Sequence, residues 1–200
     1  IKADIRQYPG EAKGSSSALV DVDLSSNTVA WYAGNRQSTG QWAVAHQPFT
    51  ISVQGNSNPV TITVALADDL TGREKHELGL QRPPRVSKSF TLLAGGSTEF
   101  IAPYGGLIYV SGNETGKVSV SLNGTVDAPW YKDNAWVNSQ ESAAPIGEIE
   151  SDSFIYTAAS KNLQASNYGG KPQQFAQELD VFAEDLNEFY ARDEVKGGGT

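Results

Sequence analysis

Within "GREKHELGLQR", residues 72–82, His76 is followed by Glu77, the residue types with which metal-dependent peptide hydrolysis often begins. That chemistry needs histidines at i and i+4, so that two imidazoles share one helix face, with the glutamate at i+1 reaching the metal-bound water. Leu80 stands where the second histidine should be, and Gly79, Pro83 and Pro84 break any helix around it. His46 is the other of the chain's two histidines and there is no cysteine, so no third nitrogen or sulfur ligand can be supplied. Asp68 and Asp69 could offer oxygen ligands, but adjacent acids before Thr71 and Gly72 read as a turn. The segment is therefore expected to be a polar loop between strands, with no catalytic and no metal-ligating residue in the chain.

Other reactive patterns are equally incomplete. No G-x-S-x-G elbow sets up a nucleophile, and the glycines of "APYGGLIYV" (102–110) lead into a strand without the Lys-Ser/Thr of a phosphate loop. Glu148 with Glu150, and Asp21 with Asp23, share a face of an extended chain, as two-carboxylate glycosidase chemistry would require, but solvated strand faces account for them. The sequons at Asn113 and Asn123 are short matches without further support. The aromatics are more suggestive, because Trp and Tyr rings can stack on sugars while their polar tips stay wet. Trp31 reads as core. Trp130, Tyr131 and Trp136, in the Pro-broken polar stretch "APWYKDNAW" (128–136), are the candidates for glycan stacking.

The elements that must position them are strands. Period-two alternation runs through "LVDVDL" (19–24), "FTISV" (49–53), "VTITVAL" (60–66), "FTLL" (90–93), "GLIYV" (106–110) and "KVSVSLNGTV" (117–126), separated by Gly-, Asn- and Ser-rich turns. In the third run Val60, Ile62, Val64 and Leu66 should face a core and Thr61 and Thr63 water. Beyond Pro172 the period changes: Phe175, Leu179, Phe182, Leu186 and Phe189 or Tyr190 recur every three or four residues among acids, which predicts an amphipathic helix with Pro172 in its first turn. The fold expected is all-β, an antiparallel β-sandwich with a C-terminal amphipathic α-helix.

Composition bounds the partners. A formal charge of −8 with no basic stripe argues against nucleic acid. No apolar run approaches the length of a membrane span, and no leader precedes residue 30. The chain opens on Ile1 and contains no methionine, so it is expected to be a piece of something longer, and "KGGGT" at its end reads as a flexible tail.

Against that background, "STGQWAVAHQPFTISV" (38–53), "ADDLTGREKHELGLQRPPRVSKSFTL" (67–92), "IAPYGGLIYV" (101–110), "VSVSLNGTVDAPWY" (118–131) and "APIGEIESDSFIYTAAS" (144–160) run in the same order as the front half of the M60-like, enhancin-related zinc metallopeptidases. The chain resembles that family over roughly residues 38–190, and is most similar to mucin-degrading surface lipoproteins of the accessory-colonisation-factor type from enteric Gram-negative bacteria. The resemblance implies N-terminal strands over 1–37 leading into or belonging to the sandwich, and a sandwich over 38–160. A linker and helix over 161–191 would pack on a catalytic core outside this chain, and 192–200 would be a tail. The family's HExxH lies downstream of the matched region. Zinc therefore belongs to the absent catalytic part, this chain needs no cofactor, and alone it should be inactive as a peptidase. The resemblance further implies a non-catalytic sandwich that supports its own catalytic domain, helps to hold mucin-type glycoproteins or glycans, and works extracellularly or at the outer-membrane surface. The alternative is a free-standing carbohydrate-binding or adhesive module.

Overall fold

Strand alternation gives each run one apolar face, and in the computed structural model these faces close on one another in a layered β structure. The structure describes residues 10–24, 36–65, 87–114, 116–166 and 170–190. The His76–Glu77 segment with Asp68 and Asp69, as well as Trp31, Tyr32, Leu66 and Tyr168, lies outside the described residues. The large sheet comprises β1 (Ser16–Asp23), β2 (Gln37–Ala43), β3 (Pro48–Gln54), β4 (Val60–Ala65), β5 (Lys88–Leu92), β6 (Ser97–Ile101), β7 (Gly106–Gly112) and β8 (Lys117–Asp127). A smaller sheet comes next, made of β9 (Trp130–Lys132), β10 (Ala135–Asn138), β11 (Ile146–Glu150) and β12 (Ile155–Ala159). After a 3₁₀ turn at Ser160–Leu163 the chain reaches helix α1 (Pro172–Phe189), with proline in its first turn as the sequence predicts.

The large sheet runs β5-β4-β7-β2-β8-β3-β6, and β1 also pairs with β8. It folds over on itself because β8 changes partners along its length: its residues between 117 and 125 pair with β1 and residues 119–123 with β3, whereas Val126 and Asp127 pair with β2. Gly124 sits at the hand-over with φ +92°, and a Cβ there would press on the Pro48 carbonyl at 2.8 Å. Only glycine fits that bend. Val60, Ile62 and Val64 of β4 point inward as expected, meeting Phe49, Ile51 and Val53 of β3 and Val118, Val120 and Leu122 of β8 in one core. Thr63 does not face water: it is buried, with its hydroxyl 2.9 Å from that of Ser89 on the neighbouring strand.

The other face of the folded sheet is covered as well. Trp42, Leu107, Tyr109 and Val126 form a second core with Ala128 and Ala144, and Ile146 of β11 packs against it. The far side of the small sheet forms a third core, in which Tyr131, Ile149 and Leu163 meet Ala176 and Phe175 of α1. Pairing is antiparallel throughout except between β9 and β11, which run parallel, the one departure among the described strands from the antiparallel expectation.

Helix α1 differs from its sequence pattern in which residues face in. Ala176 and Ala183 are its buried residues, Phe175, Leu179 and Leu186 are half-buried, and Phe182 and Phe189 remain 53% and 79% exposed. Small side chains let the helix lie close on the sheet, which leaves Phe175 at the contact and rotates Phe182 and Phe189 off it.

Candidate functional site

The three aromatics read as glycan-stacking candidates lie together on one hairpin. Trp130 and Tyr131 are in β9 and Trp136 in β10, joined by Asp133 and Asn134 at φ 51° and 62°. Two successive residues with positive φ make the primed two-residue turn whose twist suits a hairpin. The stretch "WYKDNAW" is thus ordered strand-turn-strand and not irregular loop. Asp-Asn between alternating residues was the signal for it.

Their environments differ. Trp130 is buried: Gly40, at φ +65°, is pressed so closely on its ring that a Cβ there would overlap it. The Trp130 indole Nε1 donates to Glu150 Oε2 at 3.1 Å, and the Lys132 ammonium pairs with Glu150 Oε1 at 2.7 Å while standing 5.4 Å from the Trp130 ring centroid. Asn138 Nδ2 fastens the second strand to the Gly40 carbonyl at 2.7 Å. Tyr131 is buried on the opposite side, edge-on to Trp136 with ring centroids 5.4 Å apart. Only Trp136 is half-buried, so the ring surface left for a ligand within this trio is chiefly its own.

The seam between the sandwich and the small sheet holds a polar cluster that the sequence did not reveal. Glu148 is not on a solvated face; it is 1% exposed, at the centre of β11. Its Oε1 accepts a hydrogen bond from the Tyr109 hydroxyl at 2.5 Å and another from Thr157 Oγ1 at 3.2 Å. Burial pushes the Glu148 carboxyl above the usual carboxylate range, against the lowering influence of the Ser38, Tyr109 and Thr157 hydroxyls, and neighbouring Glu150 adds to the rise. Ser38 lies close enough to exert that influence, yet its own buried oxygen finds no partner in good hydrogen-bonding geometry. Burial likewise drives the Tyr109 phenol far above its ordinary value, helped by the Glu148 charge and hydrogen bond. Glu148 therefore ties the small sheet to the large one while Glu150 ties β11 to β9, and the pair does not present two carboxylates to a cleft. Asp21, in contrast, is on an exposed face and accepts from Ser119 Oγ at 2.7 Å.

Nothing in the described residues suits a metal. No group of three or more His, Asp or Glu stands together there, and His46 occupies an exposed turn at φ 62° with its backbone N–H donated to Ala102. The described donor set does not fit a zinc ion, and no step of zinc chemistry is assigned to these residues.

A mostly antiparallel sandwich folded over on itself, its outer face covered by a small sheet and a helix, is the class of fold these residues define. Residues 16–123 match the N-terminal domain of M60-like peptidases, and the chain belongs to that family. It is 57% identical to accessory colonization factor AcfD of Vibrio cholerae over 99% of this chain and 13% of that protein, and 52% identical to a putative lipoprotein AcfD homolog of Escherichia coli K12 over 98% and 13%. It spans about an eighth of the length of these relatives. Among solved structures, the IMPa protein of Pseudomonas aeruginosa in complex with an O-glycopeptide superposes with a TM-score of 0.65 at 20% identity, over 86% of this chain and 21% of that one. The M60 catalytic domain of Clostridium perfringens ZmpC, in complex with the sialyl T antigen, gives 0.61 at 15% identity over 86% and 40%. These likenesses establish the shared fold. Among the described residues no helix is long and apolar enough to cross a membrane.

Proposed function

We propose that this chain is the non-catalytic β-sandwich region of a secreted or surface-attached M60-like zinc metallopeptidase that degrades mucin-type glycoproteins, and that it supports the catalytic part, where the zinc resides. The observation that carries this reading is the outer side of α1. Val181, Phe182, Phe189 and Tyr190 are 56%, 53%, 79% and 59% exposed on a helix whose other side is already packed on the small sheet. Such a row of large apolar groups favours a covering partner. In relatives about eight times as long as this chain, a catalytic part is the occupant that suits it. The names of the relatives support a lipoprotein setting, and the O-glycopeptide in the IMPa structure supports a glycoprotein substrate.

The test is the double variant Phe182→Ser/Phe189→Ser in the full-length protein and in this chain alone. The full-length variant is expected to melt several degrees lower and to cleave mucin glycopeptides more slowly, while the isolated chain loses no more than about 1 kcal/mol. Unchanged melting and cleavage in the full-length protein would overturn the supporting role.

A glycan-holding role is a second reading, favoured by Trp136, which is half-exposed on a hairpin and braced edge-on by Tyr131. Calorimetric titration of this chain with mucin glycopeptides, with a chelator present, should give saturable heat that Trp136→Ala abolishes. Heat that persists in that variant removes Trp136 from the role. Saturable binding by this chain, with no catalytic continuation in the full-length protein, would favour the free-standing carbohydrate-binding module.

A further inference from the structure

We infer that the cavity beneath Arg36 is a subsite for the carboxylate of an acidic sugar. The cavity lies at the seam of the two sheets, has a volume of about 370 Å³, and is lined by Arg36, Tyr109, Ile155 and Thr157. That volume falls at the lower end of the ~300–1,000 Å³ typical of small-ligand sites. Arg36 is exposed, and its guanidinium carbon stands 4.6 Å from the centroid of the Tyr109 ring. Among the described residues no carboxylate pairs with it. A guanidinium resting on an aromatic face is restrained before any ligand arrives, and its planar fork of donors matches a carboxylate in two-point contact.

The remaining walls argue for a sugar bearing that carboxylate. Ile155 offers apolar contact to ring carbons. Thr157 and Tyr109 both donate inward to Glu148, so each hydroxyl keeps lone pairs with which to accept from a sugar hydroxyl. Glu148 itself is fully buried behind them and turned to these donors, so it does not compete at the opening for Arg36. Phosphate is less well served: its sites gather several cations or a row of backbone N–H groups, and among the described residues this cavity offers one cation. In a chain of net charge −8, an anion gains nothing from the general field and must be recognised locally.

The anion preference stands on the cavity, and only the choice of a sugar rests on the glycoprotein reading of the proposed function. The experiment is an NMR titration of the ¹⁵N-labelled chain with 3′-sialyllactose, lactose and acetate. Sialyllactose should shift the Arg36 side-chain and Thr157 backbone signals saturably, while lactose leaves them in place. Arg36→Gln should weaken sialyllactose binding at least about tenfold with the fold intact, since charge-assisted pairs carry that much. Ile155→Phe, which fills the cavity and leaves the charge untouched, should also block binding. Equal binding by wild type and both variants, or equal binding of lactose, would overturn the subsite. Shifts with acetate but none with sialyllactose would keep the anion site and overturn the acidic sugar as its occupant. The helix and Trp136 variants decide the glycoprotein reading separately.

Discussion

Glu148 is a carboxyl held where water cannot reach it, and this has a pH signature. Its proton affinity is higher in the folded protein than in the unfolded chain. Its contribution to stability is therefore fully present below the ordinary carboxylate value of 4.5 and is lost as pH rises through the folded value. Glu148→Gln keeps an acceptor for Tyr109 and Thr157 but cannot ionise. Urea midpoints measured between about pH 4 and pH 8 should fall with pH more steeply for wild type than for the variant; parallel curves would show that Glu148 does not titrate in that window. Gly40 makes a second residue-scale case. Gly40→Ala must fit a Cβ at φ +65° against the Trp130 ring, and overpacking with backbone strain is expected to cost about 2–4 kcal/mol in urea unfolding. The residue types at the seam were legible: Trp130, Tyr131 and the Glu148–Glu150 pair stood out in the sequence. Their burial was not, because the groups that cover them come from far along the chain, as with Gly40, which Asn138 binds from 98 residues away.

At the scale of elements, the six alternating runs all became strands, since one-sided burial writes itself into period two. Strand β2 stayed hidden for a physical reason. It is buried on both faces, yet it carries Ser38, Thr39 and Gln41 in place of an apolar run. Gln41 donates to Asp127 and accepts from Thr125, each at 2.8 Å, and Thr39 donates to the Ile108 carbonyl at 2.6 Å. Buried polar groups satisfied in this way cost little, but they erase the hydropathy signal. The β9–β10 hairpin was hidden by its shortness. Its turn still makes a sharp prediction: Asn134→Gly, which relieves the left-handed conformation at φ 62°, should leave stability unchanged or raise it by up to about 1 kcal/mol, whereas β-branched Asn134→Val should lower it by about 1–2 kcal/mol. Thermal melting of the two variants decides this, and equal melting temperatures would mean that the turn is not what holds the hairpin.

For the whole molecule, the question is where the smallest self-sufficient unit ends. The family match stops at residue 123, within β8, so the matched segment omits the small sheet and the helix. Yet the outer face of the folded sheet carries Trp42, Leu107 and Tyr109, and the residues that join or pack against them from beyond that boundary are Val126, Ala128, Ala144 and Ile146. The Tyr109 hydroxyl also depends on Glu148. Removing everything after Asp127 would uncover a Trp, a Leu and a Tyr at once and strand the phenol without its acceptor, a loss of several large buried surfaces at roughly 1.5–3 kcal/mol for each side chain. Set against total stabilities of about 5–15 kcal/mol, that leaves little margin. A chain ending at residue 127 should therefore bind a hydrophobic dye and unfold over a broad transition, whereas one spanning 10–190 should exclude the dye and unfold in a single step. If the shorter chain melted as sharply as the longer, the sandwich would be independent, and the small sheet with its helix would be a separately attached arm. On the expected outcome, sandwich, small sheet and helix form one cooperative unit. Strain at the exposed row of α1 would then be felt as far as the Tyr109–Glu148 seam, which the layered cores connect to it.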